Sequence, residues 1–413
     1  MLRRFSARGF KSLDDVTIEV PRLLVLFGPN AAGKSNFLEA LQCLSRLVTE
    51  RTVKDALTEP IRGYPVEAFR MPPGGLRDLM NLQRVSFCLG ADVLPKSEPR
   101  ALRYRVEISG DPRTGSFGVA DEYLAGLQSK KDKTLGKPVI ERQGDRFVVR
   151  VRGKPAHPKY ESIGTNHTTA SVPSYTGSNY PHIDQLRREL GAWRTYYLDP
   201  RVAMREARPP SEVNDVGPLG ETVAPYLYRL KVEHPKCFEG VRRTLRTLIP
   251  SVEGVDVGLD RDRGHLEIVV QQNGVQYSTR VISEGTLRVL ALCSLCVNPW
   301  RPALVAFEEP ENGVHPRRLD LIAEMLVSLA TEGATQVVVT THSPRFCDAV
   351  WKRREPGGEV ALYAVRRERA RTVLEPFDPA GPLFKDVDVM RALTSPAEDG
   401  VFESLIQRGL VDE

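Results

Sequence analysis

The stretch LLVLFGPNAAGKSNFLEAL, from Leu23 to Leu41, constrains this chain more than any other: an apolar run breaks at Gly28, passes through a loop with few side chains to offer, and resumes as an amphipathic helix. Gly28, Gly33, Lys34 and Ser35 fit the pattern G-x-x-x-x-G-K-[ST]. In that pattern backbone N–H groups curl around the β- and γ-phosphates of a nucleotide, and the helix N-terminus adds its positive dipole. Lys34 would neutralise the phosphates, and the Ser35 hydroxyl would ligate magnesium. Leu23 to Phe27 read as a buried strand and Asn36 onward as a helix, which is the strand, loop, helix order that this chemistry requires. The alternative is a glycine turn that happens to precede a lysine. It gives no reason for Lys34 and Ser35 to stand together.

A phosphate loop needs an acidic partner. PALVAFEEPENGVHP is an apolar strand ending in two carboxylates. Glu308 would hold the magnesium shell, and Glu309 would polarise the attacking water. The alternative is a charged strand end that caps the next helix. TQVVVTTHSPRFCDAV is a second buried strand, and its carboxyl end carries Thr340, Thr341, His342 and Ser343. An imidazole there could hydrogen-bond the γ-phosphate or the water, although a lone histidine is usually structural. In VISEGTLRVLALCSL, residues Ser283, Glu284 and Gly285 open an apolar helix. Their N–H groups and the Ser283 hydroxyl form a further anion site, or simply a helix cap. With one complete phosphate cradle already present, a second makes sense if it serves the nucleotide of another copy.

The last third alternates helix (285–297), strand (303–308), helix (316–331), strand (335–340) and helix, which predicts a mostly parallel sheet with ligand groups at the carboxyl ends of its strands. Before it, helices are expected around 220–232 and 234–248, then a strand series over 255–281 with a tight turn at Gln272-Asn273-Gly274. Between 91 and 190 the chain changes character, with charged hairpin-like runs and a polar stretch, ESIGTNHTTASVPSYTGSNYPH, expected to be a mobile loop. From Ser129 to Lys154 nine Lys or Arg stand against three Asp or Glu. If residues 146–152 form a strand, Arg146, Val148, Arg150 and Arg152 share one face, and Phe147, Val149 and Val151 the other. That basic face could meet DNA phosphates, or belong to an edge strand kept soluble by its cations.

Composition excludes several classes. Of 413 residues, 41% are hydrophobic and 27% charged, ordinary for a globular protein, and the net charge of +5 permits a nucleic-acid partner without demanding one. No apolar stretch approaches the roughly 18 residues needed to span a bilayer, and the N-terminus MLRRFSARGFKSLDD lacks a secretory h-region, so a cytoplasmic location is expected. The pair Cys293 and Cys296 sits in one apolar helical run with no second Cys or His pair nearby, which favours packing over zinc.

In order and spacing, FGPNAAGKSN, ISEGTLRVLAL, FEEPENGVHP and TTHSP resemble the ABC-type AAA family ATPases of the RecF, SMC and OLD kind. The opening RRFSARGFKSLDDVTIEV is similar to that group's first hairpin, where Lys11 and Ser12 match a stretch near the nucleotide. The resemblance covers about 1–48 and 191–366. It implies an α/β P-loop NTPase fold, with an ABC-ATPase-like head, a mixed or parallel sheet and an inserted β-rich/α subdomain. Residues 1–90 would be the N-terminal ATPase lobe, 91–190 the inserted variable region, 191–375 the C-terminal ATPase lobe and 376–413 a tail.

By the same resemblance Gly28 to Ser35, with Asn30 inside the loop and Asn36 after it, is the Walker A motif. Glu308 and Glu309 are Walker B, with Glu308 where Asp is commoner; Ser283 to Gly285 is an abbreviated signature, and His342 the switch histidine. ATP and Mg2+ are the implied cofactors, and the implied assembly is a homodimer in which each signature completes the other copy's site. The nuclease that OLD proteins carry would come from a separate effector, because the C-terminal stretch after His342 is too short for one. The resulting expectation is an ATPase that controls a partner in DNA repair or in defence against phage and plasmids. Its rivals are a regulatory scaffold with negligible turnover that delivers a toxin or nuclease, and a small-molecule P-loop kinase that would leave the signature helix without a role.

Overall fold

The computed structural model describes residues 1–58, 61–96, 100–128, 131–333, 335–354, 359–377 and 402. Two compact units divide the chain. Among the described residues, the first comprises Met1–Trp193 with Tyr363–Phe377, and the second Arg194–Leu362.

In the first unit, Leu2–Arg8 pairs antiparallel with Val16–Glu19 on one side and with Val85–Val93 on the other. Alternation along Leu2–Arg8 buries Leu2, Phe5 and Ala7 and leaves Arg3 and Arg8 in water. The sheet continues through Leu102–Asp111, Ser116–Gln128, Ile140–Gln143 and Arg146–Val151 to an edge at Lys154–Ser162. Much of the 91–190 segment therefore extends the same antiparallel sheet that begins at the N-terminus. The helix Lys34–Thr49 packs on Pro181–Gly191, where the Ser45 hydroxyl donates to the Leu190 carbonyl at 2.7 Å. Phe37 of that helix meets Phe5 edge to face at 5.2 Å.

Two expectations for this unit need correcting. The polar stretch after Ser162 is a packed segment, with Thr168, Thr169 and Ala170 buried. Its anchor is Glu122, fully buried, which accepts from the Thr169 and Ala170 backbone N–H groups at 2.6 and 2.9 Å and from Tyr104 at 3.0 Å. Composition within the stretch carries no trace of that distant carboxylate. The basic strand Arg146–Val151 lies inside the sheet, between Ile140–Gln143 and Lys154–Ser162, so it is not an edge. Its arginines are also engaged. Arg150 donates to the Pro138 carbonyl at 2.5 Å and pairs with Glu141, while Arg146 stacks over Tyr160 at 4.1 Å. Val148 is buried beside Phe147 and Val149, so the two faces do not separate cleanly into basic and apolar.

In the second unit, Leu304–Glu308 runs parallel to Gln336–Thr341, with Glu308 paired to Thr340 at the carboxyl end. Both strands are buried along nearly their whole length around apolar centres, as strands covered on both faces must be. Helices Glu284–Cys296, Leu319–Thr331 and Pro344–Lys352 complete the expected alternation. Helices Val223–Glu233 and Pro235–Leu248 precede a three-stranded meander, Val252–Asp260, His265–Gln272 and Val275–Ser278. Its second turn holds Asn273 and Gly274 at φ 51° and 76°, the left-handed pair of a tight hairpin. Cys293 is buried in the helix Glu284–Cys296, and burial pushes its thiol well above the ordinary range. No helix among the described residues is long and apolar enough to cross a membrane. The tail expected over 376–413 lies almost wholly outside the described residues.

Candidate functional site

The phosphate loop of the first unit is shaped from behind. Gly28 follows the buried strand Leu23–Phe27 at φ 149°, and a Cβ there would stand 2.2 Å from the Val365 carbonyl oxygen. Gly33 caps the helix at φ 106°, where a Cβ would stand 1.9 Å from Thr372 Oγ1. Side chains smaller than a methyl group are thus required at both positions. Thr372 donates to the Ala32 carbonyl at 2.8 Å and shares a 2.6 Å hydrogen bond with Ser12, whose hydroxyl also accepts from Asn36 at 2.7 Å. Arg367 donates to the carbonyl of Ala31 at 3.1 Å. Lys34 is buried, its ammonium hydrogen-bonded to the Gly28 and Pro29 carbonyls at 2.6 and 2.9 Å. Asn30 is exposed at the loop's tip, and Ser35 is half-buried in the first helical turn.

Lys11 has a more committed position than sequence alone suggests. Its ammonium pairs with Glu39, a carboxylate with no exposed surface, and donates to the Arg62 carbonyl at 2.8 Å. Arg62 completes the cluster with a 2.5 Å contact to Glu39. Within the same unit a cavity of about 540 Å³ opens beside the loop, lined in part by Lys11, Ser12, Asn36, Arg62, Met71 and Arg367. Thr372, Arg367 and Glu39 carry no signal in the sequence, because the first two lie more than 300 residues from the loop and Glu39 looks like any helical surface glutamate.

The second unit carries the carboxylates. Glu308 ends the strand Leu304–Glu308 half-buried, and Glu309 turns away from it at φ 47°. A non-glycine residue in the left-handed region costs about 1–3 kcal/mol and persists only where its surroundings over-determine it. Here they do. The Glu309 N–H donates to the Thr340 carbonyl at 2.9 Å, one carboxylate oxygen lies 3.1 Å from His342 Nδ1, and the other accepts from Asn312 at 2.5 Å. Glu309 and His342, each directly beyond the end of one of two neighbouring parallel strands, therefore form a hydrogen-bonded pair at the carboxyl end of the sheet.

Ser283 caps the helix Glu284–Cys296, its hydroxyl accepting from the Thr286 N–H at 3.2 Å. The cap is exposed, and Val281 before it is 68% exposed. Gly285 lies against the turn that follows Glu309: a Cβ there would meet the Gly313 carbonyl oxygen at 2.0 Å. Arg288, one turn further on, is partly desolvated, which lowers its pKa, while Glu284, Asp199, Glu309 and Glu311 oppose the shift.

Comparison with known proteins gives the family and the fold. Residues 23–348 match the family described as "AAA domain, putative AbiEii toxin, Type IV TA system". The DNA replication and repair protein RecF of Rhodococcus erythropolis (strain PR4 / NBRC 100887) is 45% identical over 56 residues, which is 13% of this chain and only 14% of that relative's length. A solved SmcHead bound to the C-winged helix domain of ScpA superposes with a TM-score of 0.52 at 13% identity, covering 91% of this chain and 98% of that one. The Smc head domain with an extended coiled coil, bound to the C-terminal domain of ScpA derived from Pyrococcus furiosus, gives 0.50 at 11% identity over 95% and 99% of the two chains. At such identities the likeness is one of fold, an α/β P-loop NTPase with an ABC-ATPase-like head.

Proposed function

The chain belongs to the family of AAA domains described as putative AbiEii toxins of type IV TA systems, as an ABC-type ATPase of the RecF/SMC-like kind; from that premise we propose that it binds and hydrolyses ATP, dimerising as it does so. Gly28 to Ser35 takes the triphosphate, with Lys34 turning its ammonium from the loop carbonyls to the phosphates. The cavity lined by Lys11, Ser12 and Asn36 receives the rest of the nucleotide. The cradle keeps its shape because Gly28 and Gly33 let Val365 and Thr372 pack close behind it, where a Cβ would collide. The Ser35 hydroxyl in the first unit and, separately, the Glu308 carboxylate in the second are each a hard oxygen donor of the kind magnesium takes, and the ion would neutralise charge on the phosphates.

The observation that carries the reading is the Glu309–His342 pair, held in a strained backbone turn. Strain of this kind clusters where a side chain must be aimed. Glu309 orients a water for in-line attack on the γ-phosphorus. The new P–O bond forms as the bond to the ADP oxygen breaks, and the water's proton passes to the carboxylate or to the departing phosphate. His342 fixes the rotamer of Glu309 through their hydrogen bond. The exposed Ser283 cap, with its free approach to solvent, serves the triphosphate of a second copy. Each cycle of assembly then switches a separate effector, such as a nuclease, in DNA repair or in defence against phage and plasmids.

Glu309→Gln tests this directly. Steady-state phosphate release should fall about 100-fold or more, the scale of lost general-base catalysis, while ATP affinity stays unchanged and ATP drives a dimer visible by sedimentation. Wild-type turnover in this variant would end the assignment.

A further inference from the structure

The turn that presents Glu309 contains a second carboxyl group with no part in the reaction above. Glu311 is 6% exposed. Thr341 donates its hydroxyl proton to one carboxyl oxygen of Glu311, and the same Thr341 oxygen accepts from the Ser343 N–H at 2.9 Å. Thr341, directly before His342, thus bonds both to Glu311 and to Ser343, directly after it. The other Glu311 oxygen, Oε2, is buried without a hydrogen-bond partner among the described residues, as is Thr340 Oγ1 on the neighbouring strand end. Burying a carboxyl oxygen unsatisfied costs about 1–3 kcal/mol. A glutamate there is poor packing, and the one Glu311 oxygen that is satisfied is the one bonded to Thr341.

Geometry supplies the reason. Glu309 and His342 stand on different strand ends, and their hydrogen bond forms only if the two following loops are in register. The acid turn is closed on itself by Asn312 N–H to the Glu309 carbonyl at 3.1 Å and Val314 N–H to the Glu311 carbonyl at 3.0 Å. The Glu311–Thr341 hydrogen bond is a buried side-chain tether from that turn to the loop bearing His342. We propose that Glu311 is a positioning residue for ATP hydrolysis, holding the acid turn through Thr341 so that Glu309 and His342 meet. The claim rests on the reading of Glu309 given above, and it adds a residue that never touches substrate.

Three variants test it. Glu311→Ala should lower kcat about 10- to 100-fold, the loss expected when a reacting group is misplaced by about 1 Å, with KM for ATP within about 3-fold of wild type. Glu311→Gln keeps an oxygen to accept from Thr341 and should restore kcat to within about 3-fold. Thr341→Val, of the same shape, should reproduce the alanine defect with Glu311 still in place. Wild-type kcat in both Glu311→Ala and Thr341→Val, alongside a dead Glu309→Gln, overturns the positioning role and spares the ATPase reading. Full turnover in Glu309→Gln overturns that reading instead. Should Glu311→Ala fail to melt cooperatively, the other two variants decide, and a Gln variant at least 10-fold impaired in kcat overturns the role.

Discussion

The phosphate loop and the acid turn solve the same problem, aiming groups at a phosphate, by opposite means. The loop uses residues that adopt the required backbone freely. Gly28 and Gly33 take φ 149° and 106° with no steric penalty, and only Ala31, at φ 63°, departs from that economy. In the acid turn, Glu309 is held at φ 47° by Thr340, His342 and Asn312. Conformation chosen locally needs glycines and shows in a sequence motif. Conformation imposed from outside needs partners and leaves only a bare carboxylate to read.

If that contrast is sound, adding and removing a Cβ should have opposite effects in the two places. The largest effect is expected for Gly28→Ala, whose Cβ would press to 2.2 Å from a backbone oxygen that cannot rotate away. Overpacking and backbone strain together should cost about 3 kcal/mol or more. For a unit of this size that lowers Tm by about 6–12 °C, measurable by calorimetry, and ATP binding should go with it. A melting point equal to wild type would show that the loop yields, and that Gly28 is not structurally required.

Glu309→Gly goes the other way. It frees the left-handed residue from its Cβ and so relieves about 1 kcal/mol of strain, offset in part by the lost contacts to Asn312 and His342. Chemical denaturation should find stability equal to wild type or up to about 1 kcal/mol higher, while phosphate release is abolished. Stability and turnover would then move in opposite directions at a single residue. A destabilised Glu309→Gly would mean that the carboxylate's hydrogen bonds outweigh the strain and hold the fold together as well as the site.

The same contrast explains what could be read from the sequence. The strand Leu23–Phe27, the helix after it, the parallel strands ending at Glu308 and Thr341 and the hairpin at Asn273-Gly274 all announce themselves through period, apolar runs or turn chemistry. Thr372 behind Gly33, Arg367 over Ala31, Glu122 beneath the polar segment and Thr341 bonded to Glu311 do not. Each acts through hydrogen bonds between residues far apart in the chain, and no spacing rule encodes such bonds. The basic run over 129–154 has the same limit: Arg150 looks free in sequence and is tied to Glu141 and Pro138 in the fold.

The signature helix offers the smallest and most discriminating case. Ser283 caps it from within, like the loop, but Arg201 reaches in from 83 residues away to donate to Glu284 at 2.9 Å. That pair is exposed, with Arg201 at 78% and Glu284 at 44%. Solvent and salt should therefore hold its worth to about 0.5 kcal/mol or less, and Glu284 in the first helical turn keeps the favour of the helix dipole without it. Arg201→Ala should shift Tm by less than about 2 °C, and the shift should vanish in about 1 M salt. A salt-resistant loss above about 1 kcal/mol would join Arg201 to Arg205, which braces the Ile282 carbonyl at 2.8 Å. The helix start would then be imposed from outside, as the acid turn is, and not set by its own cap.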